Sequence, residues 1–146
     1  MSLSNSSETA LLNLLFNNLA WANVGDASGL QPSATAGSFH IALHTSDPGE
    51  TGTQTTNEAS YTGYGRVAVA RSSAGFTISG NQVSNTATVQ FSECTAGSAT
   101  VTHFSVGTAA SGAGSIIYRG ALSASRSISA GITPLFNAGS LTGAAD

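Results

Sequence analysis

Ala99-Thr-Val-Thr-His-Phe-Ser-Val-Gly107, the small residues Thr108 to Gly114, and Ser115-Ile-Ile-Tyr-Arg-Gly-Ala-Leu122 running on through Ser123-Ala-Ser-Arg-Ser-Ile-Ser129 decide the fold class of this chain. Two β-branched and aromatic runs flank a segment of Ala, Ser, Thr and Gly with no side chain large enough to anchor a helix, which predicts a long-looped β-hairpin. Side chains alternate along a strand, so Thr102, Phe104 and Val106 fall on one face and Val101, His103 and Ser105 on the other. Both faces carry apolar residues, and each needs a partner. A lone hairpin is marginal in water, so these strands must pair with others and be covered by a second layer.

Working outward, Ser38 to Thr45 alternates in the same way, with Phe39, Ile41 and Leu43 against His40, Ala42 and His44. The spacing of His40 and His44 would bring two imidazoles together on a helix, but in a strand it separates them by about 13 Å, so no metal site is expected. Asp47-Pro48-Gly49 signals a turn, and Gly52 to Tyr64 continues as a polar loop of a length that is usually functional or ordered by a partner. Gly63-Tyr64-Gly65-Arg66 begins like a dinucleotide fingerprint. No strand leads into it and no helix follows, because Val67, Val69 and Arg71 continue as a strand. Arg66 and Arg71 lie on opposite strand faces, which predicts that at least one reaches outward or towards a neighbour. Phe76 to Ile78 and Thr86 to Phe91 read as strands around the turn-rich Ser79 to Gln82, and a last weak strand is expected around Ser140 to Thr142.

The N-terminal region differs in period. Asn5 to Glu8 has the form of a capping box, followed by Leu11, Leu12, Leu14, Leu15, Phe16 and Leu19, with Asn13 and Asn17 on the polar side. Two readings of this apolar surface stand side by side: a helix that plugs its own domain, or an arm that docks on a neighbouring subunit. Asn23 to Gly37 is an aperiodic connector. The division expected is residues 1–37 as helix and connector arm and 38–146 as one β-sandwich domain. Short strands at intervals of about ten residues with Gly-rich turns predict an all-β fold, jelly-roll-like, with a short N-terminal helix.

Composition narrows the function. Of 146 residues 8% are charged and 17 are Gly, so Ser, Thr, Asn and Gly must clothe the surface, a composition that favours a permanent partner or a lattice position. All four basic residues are Arg and the formal charge is −3, which leaves no basic stripe for nucleic acid. Cys94 is single and excludes an internal disulfide; it is expected to be a small packing residue. The first 21 residues lack a cationic start and carry Glu8, so no targeting segment is read, and no apolar run is long enough to span a membrane. The acids stand singly at Glu8, Asp26, Asp47, Glu50, Glu58, Glu93 and Asp146, and no Gly-x-Ser-x-Gly elbow occurs. Neither an enzyme nor a cofactor is expected.

Several stretches resemble a family of small phage virion proteins, labelled tail-fibre or minor structural proteins, some of them similar to capsid cement proteins. The stretches are Leu12 to Phe16, Ile41 to Glu50, Tyr64-Gly65-Arg66, Val101 to Phe104, Tyr118 to Leu122 and Ala138 to Thr142. The resemblance implies a β-rich fold without catalysis. The chain departs from the family pattern at Gly143-Ala144-Ala145-Asp146, which replaces a continuing apolar strand, and in a longer linker before Phe39.

The expectation is therefore a virion structural protein, assembled in the host cytoplasm. It would be a homo-oligomer, preferably a trimer, that cements the major capsid protein, with no nucleic-acid or membrane partner. Leu11, Leu12, Leu15, Phe16, Leu19, Trp21, Tyr61, Tyr64 and Arg66 are the expected partner-binding residues. The alternatives are a tail or tail-fibre component with Thr108 to Gly114 as its host-contacting tip, and a carbohydrate-binding module using Trp21, Tyr61, Tyr64 and Tyr118 as stacking platforms.

Overall fold

A computed structural model describes Met1 to Ala145. Its elements are α1 (Asn5–Phe16), β1 (Ser38–His44), β2 (Val67–Ala70), β3 (Phe76–Ser79), β4 (Gln82–Asn85), β5 (Val89–Gln90), β6 (Ser98–Gly107), β7 (Ile116–Ser129), β8 (Leu135–Phe136) and β9 (Thr142–Ala144). The chain is all-β with one short N-terminal helix, as the period-2 patterning predicts. Three sheets form, in the orders β2-β1-β6-β7, β3-β4-β9 and β5-β8. The chain divides into two compact units: residues 1–38, 70–88 and 136–146, and residues 39–69 and 89–135.

In the first unit, α1 buries the stripe Glu8, Leu12 and Phe16, spaced four residues apart on one face, against β3 and β4. Phe16 meets Phe76 edge to face with ring centroids 4.9 Å apart. Each such fully buried large side chain contributes about 1.5–3 kcal/mol. The helix starts one residue earlier than the capping-box reading: Ser4 is the cap, in extended conformation, and its hydroxyl accepts the Ser7 N–H. Asn5 already has a helical backbone. At the other end Asn18 takes a left-handed φ of 53°, which Asn tolerates, and turns the chain. Its amide and the Ser33 backbone exchange two hydrogen bonds of 2.9 Å, closing the connector into a loop. The Arg71 guanidinium donates to the carbonyls of Leu14, Leu15 and Ala36, so a cation satisfies carbonyls that a helix end leaves without partners.

β3 and β4 form a hairpin through Gly80, whose φ is +61°. Of the strand expected over Thr86 to Phe91 only β5 forms, and β4 lies before it, starting at Gln82 in the stretch read as a turn-rich break; the buried Asn85 side chain holds the chain where β4 ends. Its amide donates to Ala87 and Asn137 carbonyls, and its oxygen accepts from Leu141 N. β9 lies slightly past the strand expected at Ser140 and pairs with β4 from Gln82↔Ala144 to Ser84↔Thr142. Gly143 and Ala144 suffice there because ladder bonds need backbone alone; Asp146 lies outside the described residues.

In the second unit the hairpin read from Ala99 to Ser129 is β6 and β7, paired antiparallel from Ser98↔Ser129 to Gly107↔Ile116. β1 pairs antiparallel with β6 from His40↔Gly107 to His44↔His103. Both faces of β1 are covered: Ile41, Leu43, Ala42 and His44 are all buried. Gly120 has a packing reason, since a Cβ there would stand 2.8 Å from Phe104 Cε1. Cys94 is fully buried, as expected of a packing residue.

Candidate functional site

The loop 45–66 folds back over one face of β1 and β6 and meets the β6–β7 loop. Three anchors hold it. Thr45 N donates to Asn57 O and Ala59 N to Leu43 O, so residues 57–59 lie antiparallel to the end of β1. His44 is fully buried, with Nδ1 2.8 Å from Thr56 O and Nε2 2.8 Å from Ser105 Oγ. A carbonyl only accepts, so Nδ1 carries the proton and Nε2 accepts from Ser105. Burial is the main cause that pushes the His44 pKa below its ordinary value. Ser105 and His44 are paired as in nucleophilic sites, and both are 0% exposed.

Gln54 is the second anchor. Its backbone N–H donates to Gly114 O, and its side chain lies in a slot where a Cβ on Gly107 or Gly114 would stand 2.1 or 2.3 Å from Gln54 atoms. Gln54 Nε2 donates to His40 O, and Oε1 accepts from Ala109 N at 3.0 Å.

Arg66 is the third. Its Nε and Nη2 donate to the two Glu58 carboxylate oxygens at 2.7 and 2.8 Å, Nη2 also to Gly112 O at 2.8 Å, and Nη1 to Ala109 O at 2.9 Å and Gln54 Oε1 at 3.4 Å. All five guanidinium N–H groups thus have acceptors. The Arg66 side chain is 2% exposed and that of Glu58 17%. The Tyr64 hydroxyl accepts from Leu43 N and donates to Glu58 Oε1, and burial raises its pKa strongly. Glu58 to Tyr61, Tyr64 to Arg66 and Ala110 to Gly112 border a recess of about 410 Å³. Outside the recess Arg119 pairs with Asp47 at 2.6 Å and with Glu50, and the Gly49 N–H and Arg119 hold the Asp47 carboxyl below its usual range.

The structure therefore brings together two segments the sequence presents apart, Gly52 to Tyr64 and Thr108 to Gly114. The expected partner-binding residues disperse. Leu12 and Phe16 are buried within the first unit, Leu11, Leu15 and Trp21 are half-buried, and Leu19 is 53% exposed. Trp21 bridges Leu30 in the connector. Tyr61 is buried, with its hydroxyl donating to Ser92 O, while Tyr64 and Arg66 line the recess. Of Arg66 and Arg71, at least one of which is expected to reach outward or towards a neighbour, neither turns its guanidinium outward: both bond inside their own units, because loop and helix-end carbonyls offer fixed acceptors. Sequence reasoning missed Gln54, Glu58 and His44 as organisers of the site. With 4 basic and 7 acidic residues in the whole chain, each lone charge inside a long loop was itself a signal of internal pairing.

Among the described residues no group of three His, Cys, Asp or Glu is placed to hold a metal ion, and no helix is long and apolar enough to cross a membrane. No curated protein matches the chain. A family model described as Podophage GP4 fiber I protein gp80 matches residues 2–144. Nearly the whole chain is covered, so it belongs to the Podophage GP4 fiber I protein gp80 family of phage structural proteins.

Proposed function

We propose that this chain is a fibre component of a phage tail, acting without catalysis as a homo-oligomer, a trimer by preference, and presenting the joined loops 52–64 and 108–114 towards the host. The family's description as a fibre protein carries this reading. The loop cluster supports it, because residues that contact a partner work best on loops held by a rigid scaffold, and Arg66, Gln54 and His44 hold these two loops on one sheet.

The capsid-cement reading belongs to the same virion and rests on the exposed Leu19 and on the polar loops. Leu12 and Phe16 already pack against β3 and β4, which leaves less of the helix for a shell, and the family description favours the fibre. Electron microscopy of intact particles labelled with antibody against this chain tests the choice. Label confined to the tail, with a copy number in the tens or fewer, is expected. Label spread over the shell in hundreds of copies would overturn the fibre reading.

A further inference from the structure

The recess beside Arg66 has a defined chemistry. Its charged pair is closed on itself: every Arg66 donor has an acceptor, and Glu58 receives two guanidinium bonds and the Tyr64 hydroxyl. An anionic ligand finds no free cation there. The Tyr64 hydroxyl is bonded to Leu43 N and Glu58, so what Tyr64 offers a ligand is its half-buried ring, propped edge to face by Tyr61 at 5.4 Å and stacked on Phe91 at 6.2 Å. At the rim Ser60 and Ser111 are exposed, and their hydroxyls make no hydrogen bond within the described residues. A fixed aromatic wall with hydroxyls at the rim suits a ligand that has both apolar C–H faces and neutral hydroxyls.

We propose that this recess, bounded by Tyr64, Gly65, Ser60 and Ser111, binds an uncharged saccharide of one or two pyranose rings. The volume of about 410 Å³ lies in the range of small-ligand sites. A C–H face of the sugar lies against the Tyr64 ring, and the Ser60 and Ser111 hydroxyls bond its hydroxyls. This deepens the fibre reading and rests on it.

Gly65 makes the test clean. A Cβ there meets nothing within 4 Å and its φ is outside the left-handed region, so the backbone accepts Gly65→Phe, which sets a bulky ring on a residue that borders the recess. Saturation-transfer NMR on the full chain with lactose, maltose and cellobiose, and with sialyllactose as the charged comparison, reads binding directly. Transfer to pyranose C–H protons of at least one neutral disaccharide is expected, with Kd at least tenfold weaker in Gly65→Phe at unchanged Tm. Ser111→Trp, in the exposed rim, serves as a second filling variant should Gly65→Phe fail to fold. Absence of transfer from all three neutral sugars, unchanged binding in the folded filling variant, or a preference for sialyllactose overturns the proposal. The labelling of particles is read independently, so a tail-located protein that ignores sugars refutes the saccharide site and leaves the fibre reading standing.

Discussion

Replacing Arg66 by Met keeps most of the side-chain volume and removes the guanidinium. Glu58, whose side chain is 17% exposed, loses both charged hydrogen bonds and keeps only the Tyr64 hydroxyl. The carbonyls of Ala109 and Gly112 lose their donor at the same time. Breaking a buried ion pair from one side costs about 3–5 kcal/mol, because the remaining charge stays uncompensated. A domain of this size shifts by about 2–4 °C per kcal/mol, so Tm should fall by about 6–20 °C. Removing both charges in Glu58→Gln/Arg66→Met leaves no buried lone charge, and that variant should recover part of the loss. Thermal and denaturant unfolding give the stability, and hydrogen exchange at residues 108–114 reports whether the two loops part. A loss in Arg66→Met below about 0.5 kcal/mol, the scale of an ordinary surface change, would refute the claim that this residue joins them.

Three further outcomes follow from buried groups. His44 has its folded pKa lowered, chiefly by burial, so between the unfolded value near 6.5 and that lower value the unfolded chain binds the extra proton. Stability is full above about pH 6.5 and falls as pH drops through the window by up to about 1.4 kcal/mol per pH unit, and His44→Gln should flatten the dependence in denaturant titrations. Phe16→Ala should lose about 3–5 kcal/mol and expose α1 to hydrogen exchange, whereas Leu19→Ser, at an exposed position, should stay within about 0.5 kcal/mol; equal losses would contradict the packing described. Gly107→Ala places a Cβ against Gln54 and should destabilise by about 1–3 kcal/mol, while Gly65→Ala, in open space, should be near neutral; the unfolding midpoints of the two variants compare them directly.

Strand and helix identity were legible in the residues because they depend on local period. Val101 to Val106 alternates, Leu12 and Phe16 recur at helical spacing, and Thr108 to Gly114 has nothing to pack, so the hairpin, the N-terminal helix and the all-β class follow without long-range information. The composition, poor in charge, pointed in the same way towards a structural role. What tertiary structure decided is the pairing of solitary polar groups. His44 and Ser105 meet only when β1 and β6 have paired, Gln54 meets the Ala109 N–H only when the two loops come together, Glu58 and Arg66 meet only when their loop folds back on itself, and Asn85 finds its partners at Asn137 and Leu141 far along the chain. The physical reason is that apolar patterning repeats along the chain and can be read as a period, whereas a buried charge or amide is stabilised by one partner at one distance. That partner is chosen by the fold.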